Sequence, residues 1–244
     1  MISLIIPTYN EADNLKNNIE KIADTLNKIT TSFEIIIAED GSSDGTDRIA
    51  EKLANKYPYI KHIHSDERLG RGKALNRAFK SSKGEIIAYM DIDLATDLRH
   101  LGELTNSIKE GYDFSTGSRM LKESDVKRSF TRSIASKGFN FMARFLLKSK
   151  IKDHQCGFKA FKRKSLFDVL DEVKDEHWFW DTEILVRAQR KGYKIKEFPV
   201  KWRSDGKTKV DLKKDIIEMG SGIIKLWLEF LKKGDKCENS AGMP

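Results

Sequence analysis

Two hydrophobic periods alternate along this chain. Short apolar runs at Ile2–Ile6, Phe33–Glu39, Ile60–His64 and Ile86–Met90 read as buried strands. Between and after them, apolar residues recur at helical spacing: Leu15, Ile19, Ile22, Leu26 and Ile29; Ile49, Ala50, Leu53 and Ala54; Ala74, Leu75, Ala78 and Phe79; Leu98, Leu101, Leu104 and Ile108. Strand and helix taken in turn predict an α/β fold, a mostly parallel sheet with helices on both faces.

The second half continues with a strand at Phe114–Gly117 and a helix carrying Ile134, Phe139, Met142, Phe145, Leu146 and Leu147. A helix through Leu166, Phe167, Val169 and Leu170 follows, then one beginning near Trp178, then a strand from Ile195 to Trp202. Residues 1–210 read as one domain and 211–234 as an amphipathic helix, with 235–244 a disordered tail. Asp215, Glu218, Lys225 and Glu229 interrupt that last helix, so it reads as interfacial or oligomerising, or as a core helix, and not as a span.

The strand ends carry the candidate chemistry. Asp91 and Asp93 follow the fourth strand, at the sheet edge where open α/β folds bind ligands. Two carboxylates one residue apart can reach a single hard cation, Mg²⁺ or Mn²⁺, together with diphosphate oxygens. Tyr9 and Glu11 end the first strand and Asp40 ends the second. Asn10 is placed to cap the first helix, with Asp13 in its first turn. Lys73, among glycines at a helix start, is placed to meet phosphate. Gly-Arg-Gly-Lys-Ala is not a Walker A loop, and no Gly-x-Gly-x-x-Gly follows the first strand.

Lys and Arg outnumber Asp and Glu by 45 to 37, a net charge of +8, which suits an anionic partner. No groove-entering or aromatic RNA-binding pattern accompanies the charge, so nucleic acid is not that partner. Only Cys156 and Cys237 are present, no disulfide framework, which suggests a reducing compartment. No apolar run is long enough to span a membrane. The helix around 133–148 mixes its apolar residues with Arg132, Lys137, Arg144, Lys148 and Lys150, so it either lies in a membrane interface or packs on its own sheet with a solvated basic face. Trp178 and Trp180, beside Asp181 and Glu183, are core anchors or a sugar platform.

Pro7-Thr8-Tyr9-Asn10-Glu11, Glu39-Asp40-Gly41-Ser42-Ser43-Asp44-Gly45-Thr46 and Asp91-Ile92-Asp93 together resemble family 2 glycosyltransferases of GT-A fold, a Rossmann-like architecture. Gly117-Ser118-Arg119, Asp153 to Lys159, Trp180-Asp181-x-Glu183 and the loop from Trp202-Arg203 to Lys207 extend the resemblance to polyprenyl- and dolichyl-phosphate sugar synthases, over residues 2 to 210. Gln155-Cys156-Gly157-Phe158-Lys159 is most similar to dolichyl-phosphate β-glucosyltransferases, which use UDP-glucose. Ala95 stands where mannose synthases often have Gln, which counts mildly against GDP-mannose.

The resemblance implies an inverting, metal-dependent hexosyltransferase. Its donor would be a nucleotide-sugar, UDP-glucose or UDP-N-acetylglucosamine before GDP-mannose, and its acceptor dolichyl or polyprenyl phosphate. Pro7, Tyr9, Glu11 and Asp40 would cradle the nucleoside, Lys73 and Asp91 the diphosphate, and Asp91 with Asp93 the metal. Arg119, Arg132 and Arg203 would hold the acceptor phosphate, and Asp153 would serve as base or orient the sugar or an arginine. It also implies that the helix at 133–148 docks on a membrane, with the protein peripheral on the cytoplasmic face. A non-catalytic, membrane-recruited nucleotide-sugar-binding protein is the alternative of another class.

Overall fold

The computed structural model describes residues 1–203 and 212–240, with side chains described for 1–203 and 217–232. Strands β1 (Ile2–Thr8), β2 (Phe33–Glu39), β3 (Ile60–Ile63) and β4 (Ile86–Met90) alternate with helices α1 (Leu15–Ile29), α2 (Thr46–Lys56) and α3 (Arg71–Ser81), as the hydrophobic pattern predicts. Helix α4 (Leu101–Lys109), strand β5 (Phe114–Ser118) and a short β6 (Asp125–Lys127) follow. Then come α5 (Phe130–Leu147), β7 (Phe158–Lys162), α6 (Arg163–Leu170), α7 (Trp180–Arg190), β8 (Ile195–Pro199), β9 (Lys201–Arg203) and α8 (Leu212–Ser240).

The main sheet runs β3-β2-β1-β4-β7-β5-β8. Strands β1 to β4 are parallel, and β7 lies antiparallel between β4 and β5. The strand order reverses between β1 and β4, which opens a crevice at their carboxyl ends. Helices α1, α2 and α4 cover one face through Leu15, Ile19, Leu53, Leu101 and Leu104, while α3, α6 and α7 cover the other through Leu75, Phe79, Leu166, Trp180 and Ile184. Leu4, Ile5, Ile6, Ile35, Ile36 and Ile37 are all fully buried, as expected of parallel strands covered on both faces.

The expected strand Ile195–Trp202 is two. Pro199, with no N–H to give, ends β8, and β9 pairs with β6 in a separate two-stranded sheet. Helix α5 packs Phe139, Ala143 and Leu147 against α8 through Ile223 and Leu226. No helix among the described residues is long and apolar enough to cross a membrane. Helix α8 reaches Ser240, inside the segment set apart as a tail, and the rest of that tail, 241–244, lies outside the described residues, as does the loop from 204 to 211.

Candidate active site

The ends of β1 and β2 form the first wall. Asn10 does not cap α1, which starts at Leu15 behind Asn14. It adopts a left-handed φ of 52°, its N–H donates to Ser42 Oγ at 3.0 Å and its Oδ1 accepts from Ser43 N at 2.8 Å. Glu11 N donates to Thr46 Oγ1 at 2.8 Å and Ala12 N to Asp44 Oδ2 at 3.1 Å. The two turns therefore lock each other, which pairs backbone N–H groups that both strand ends would otherwise leave without a protein partner. Pro7 sits in β1 against Ala38 of β2.

Asp40 faces the loop after β3. Its carboxylate accepts from Leu69 N at 2.8 Å and Gly70 N at 3.0 Å, and Gly41, at φ +69°, leaves no room for a side chain beside Arg68. That loop folds back so that the Arg68 guanidinium lies 4.1 Å over the Tyr9 ring. Tyr9 and Asp40 thus border one recess, and Asp40 shapes it through the loop.

Asp91 and Asp93 follow β4 across the crevice. Asp91 is half-exposed and pairs with Arg71, Nη2 to Oδ1 at 2.6 Å. Its N–H donates to Gly157 O at 3.1 Å, and the Gly157 Cα lies so close to the Asp91 carboxylate that a Cβ would overlap it. Asp93 is exposed and its Oδ1 accepts from Ala95 N at 3.0 Å. Leu94, at φ 53°, turns the chain between them and the next segment. Two carboxylates with solvent-facing oxygens are a hard donor set, fit for Mg²⁺ or Mn²⁺ with phosphate and water filling the remaining places.

The cation facing these carboxylates is Arg71, which sequence reasoning missed in favour of Lys73. Lys73 Nζ instead points outward to Glu176, 3.8 Å away. Both residues lie in the first turn of α3, and only the packing of that turn on α7 selects between them: a Cβ at Gly72 would lie 2.8 Å from the Trp180 side chain, so this face of the turn sits directly on α7. Arg71 also lies 3.5 Å from Asp181 Oδ2 and 5.5 Å from the Trp178 ring. Asp181 accepts from Lys159 Nζ at 2.7 Å and from the Tyr89 hydroxyl. Burial opposes charge on both partners, holding Lys159 down to about 7 and Asp181 up to about 7. Asp181 is therefore a buried support for Arg71. Glu183 is buried with Arg187 and accepts from Lys174 N and Asp175 N, while Trp180 is a core anchor.

Beyond β5 lies a second, basic wall. Asp153 is fully buried and takes three hydrogen bonds from Arg119, from its N–H at 2.9 Å, Nε at 2.7 Å and Nη2 at 2.9 Å. Although burial opposes it, the Arg119 charge holds the Asp153 carboxyl well below the usual range. Such a carboxylate is a weak base and a firm orienting group. Arg203 ends β9, donates to Asp125 O at 2.7 Å and pairs with the Asp125 carboxylate. Its N–H donates to Ala95 O at 2.9 Å, which ties β9 to the Asp93 turn. Arg132 is half-buried in the first turn of α5.

Among the described residues a further donor group, Glu39, His62 and His64, has its ligand atoms within 4.8 Å of one another. It lies at the ends of β2 and β3, with His64 one residue past β3, and β3 is three strand spacings from β4, about 14 Å. Glu39 is already engaged there by Ser42 N and by His64 Nδ1, each at 2.5 Å.

His154, beside Asp153, is fully buried, with Nδ1 2.7 Å from Asn140 Oδ1 and Nε2 2.8 Å from Ser149 Oγ. Burial depresses its pKa to about 4. Between about pH 6.5 and 4 the unfolded chain then binds a proton that the folded one does not, so this contribution is present above pH 6.5 and is lost as pH falls through the window. The expected loss is about 3 kcal/mol. Urea unfolding of the protein and of His154→Gln at both ends of the window checks it. Equal pH dependence in the two proteins would refute the assignment.

Comparison with known proteins bears on this arrangement. Residues 3–170 match the family described as glycosyl transferase family 2. Glycosyltransferase AglD of Haloferax volcanii is 48% identical over 229 residues, which are 93% of this chain and 37% of AglD. The chain thus spans little more than a third of that relative. The dolichyl-phosphate beta-glucosyltransferase of Dictyostelium discoideum is 31% identical over 244 residues, covering 94% of this chain and 75% of that protein. Among solved structures, glucosyl-3-phosphoglycerate synthase from Mycobacterium tuberculosis, in complex with Mn²⁺, UDP and glucosyl-3-phosphoglycerate, superposes with a TM-score of 0.68 at 16% identity, over 93% of this chain and 79% of that one. At that identity the likeness is one of fold, and the fold is GT-A.

Proposed function

The chain belongs to glycosyl transferase family 2, and from that membership we propose that it transfers a hexose, with inversion, from a nucleoside-diphosphate sugar to dolichyl or polyprenyl phosphate. UDP-glucose is the foremost donor, ahead of UDP-N-acetylglucosamine and GDP-mannose. The observation that carries the reading is the pairing of two walls at one crevice: the Asp91–Asp93 carboxylates with Arg71 at the end of β4, and Arg119 held by Asp153 at the end of β5. An anionic leaving group needs the first and an anionic acceptor needs the second.

Tyr9, Glu11 and Asp40, with Pro7 behind them, form the nucleoside side. Asp91 and Asp93 would hold the divalent cation, which supplies charge neutralisation on the departing diphosphate. Arg71, anchored by Asp181, adds a second positive group beside Asp91. Lys73 contributes only to the electrostatic field around the diphosphate, since its amine faces Glu176. Arg119, Arg132 and Arg203 bring positive charge to the acceptor phosphate, Arg119 and Arg203 through the field of guanidinium groups already paired with Asp153 and Asp125. A phosphomonoester is already largely ionised near pH 7, with a second pKa of about 6, so no strong base is needed. One acceptor oxygen attacks the anomeric carbon, the bond to the diphosphate breaks on the opposite side, and the configuration inverts. Asp153 fits this scheme as the residue that aims Arg119.

Membrane docking completes the reading. Phe130, Ile134, Phe141 and Phe145 of α5 and Ile217, Ile224, Leu228 and Leu231 of α8 are exposed. Apolar residues in that number on two packed helices support an interfacial face where a lipid acceptor would be met, on the cytoplasmic side.

The test is transfer of radiolabel into organic-extractable lipid. Purified protein in detergent receives dolichyl phosphate, Mn²⁺ or Mg²⁺, and each donor in turn. Label from UDP-glucose alone is the expected result. Label from GDP-mannose alone would replace the donor assignment, and no lipid label from any donor would reject the acceptor.

A further inference from the structure

We infer that Arg128 is a phosphate-binding residue on the acceptor side, and that the ligand it receives is the phosphomonoester head of a prenyl lipid. The inference rests on the acceptor reading above and names a residue and a contact that reading does not contain.

The argument is one of charge. Arg119 spends its fork on Asp153, and Arg203 is matched by Asp125. Arg128, between β6 and α5, is half-buried and has no such match: among the described residues no carboxylate lies within ion-pair distance of it. Its Nε donates to Ser133 Oγ at 3.1 Å and its Nη2 approaches Met120 Sδ at 3.9 Å. A guanidinium has five N–H donors, so among the described residues most of this one is unspent. Partial burial and the like charge of Arg119 both hold Arg128 below the ordinary arginine range. The Asp153 charge offsets part of this effect, but its hydrogen bonds go to Arg119 and not to Arg128. The first turn of α5, which begins two residues after Arg128, holds Arg132 and no acidic residue. An anion arriving there would relieve the repulsion and take the free donors.

The neighbouring surface says which kind of anion. Phe130, Ile134, Phe141 and Phe145 recur at helical spacing along α5 and are exposed, the first of them two residues from Arg128. A cation with an apolar stripe running away from it is complementary to an amphiphile whose charged end is a phosphate. A small water-soluble phosphate ester would use the cation and leave the stripe unused.

The experiment compares the protein with Arg128→Gln and Arg128→Lys. Sedimentation with phosphatidylcholine vesicles containing dolichyl phosphate or dolichol reads binding without turnover. Transfer kinetics give separate KM values for acceptor and donor, with 3-phosphoglycerate as the soluble phosphomonoester arm. The vesicle preference for dolichyl phosphate over dolichol is expected to vanish in Arg128→Gln. The acceptor KM should rise by about 10- to 100-fold, the loss of a charged hydrogen-bonding partner, with the donor KM unchanged. Arg128→Lys should recover part of both, since it keeps the charge and loses the fork. An unchanged acceptor KM, or an equal rise in donor KM, would overturn the assignment. Use of 3-phosphoglycerate in place of the lipid would reject the prenyl source. If the wild type labels no lipid with any donor, the proposed function fails, and the vesicle preference still decides the role of Arg128.

Discussion

Asp93→Asn is expected to lower transfer by about 10²- to 10³-fold while leaving the melting temperature within a degree or two of the parent, roughly the effect of a neutral surface substitution. The prediction follows from how differently the two carboxylates are held. Asp93 is exposed and accepts from Ala95 N, a bond that an asparagine oxygen reproduces. On the proposed mechanism its charge would serve the divalent cation, because a neutral amide is a poor partner for a hard ion. Asp91→Asn should lose at least as much activity, and it should also lose stability. That change removes the partner of Arg71 at 2.6 Å and leaves a largely buried guanidinium with Asp181 as its remaining ion-pair partner among the described residues. Calorimetric titration with Mn²⁺ in the presence of UDP, run beside the transfer assay, separates the two effects. Wild-type transfer by Asp93→Asn would remove this carboxylate from the mechanism.

A single methyl group at Gly157 is expected to do comparable damage without touching a charge. The Cβ of Gly157→Ala would overlap the Asp91 carboxylate, and backbone on both sides is pinned: Met90 pairs with Phe158, and Asp91 N donates to Gly157 O at 3.1 Å. Either Asp91 swings away from Arg71 or β7 shifts against β4. A displacement of about 1 Å at a reacting centre costs on the order of 10²-fold in rate, and overpacking of this kind costs about 1–3 kcal/mol of stability. Transfer rate, Mn²⁺ affinity and thermal unfolding of Gly157→Ala test it together. Normal rate and affinity would mean that the Asp91 carboxylate does not work from the conformation described.

Gly157 also explains why the segment Gln155-Cys156-Gly157-Phe158-Lys159 is a unit. Phe158 and Lys159 alternate across β7, the phenyl group packing with Met90 and Phe198 on one face while the lysine on the other reaches Tyr89 and Asp181. Cys156 is buried, its carbonyl accepts from Lys159 Nζ at 2.6 Å, and burial pushes its thiol up to about 12. A thiol so hard to ionise is a packing residue and not a nucleophile.

The sequence by itself determined the order of strands and helices, because apolar runs and helical spacings are local consequences of burial and need no partner to be read. It also determined which polar residues gather at one sheet edge. Tyr9, Asp40, Asp91 and Asp93 all follow apolar runs, and parallel strands must end on one edge. What it left open depends on groups far apart in the chain. Asn10 has the composition of a helix cap, and its partner turned out to be Ser43, in a turn that only the pairing of β1 with β2 brings near. Strand β7 was not legible as a strand, since its antiparallel place between β4 and β5 comes from the return of the chain after α5. Lys73 and Arg71 are both basic residues beside glycines. The packing of α3 on α7 decided which of them faces Asp91, and no local pattern encodes that choice. The pairing of Arg119 with Asp153, which leaves Arg128 without a carboxylate among the described residues, was likewise decided by tertiary structure, because a charge is free or spent only with respect to its neighbours in space.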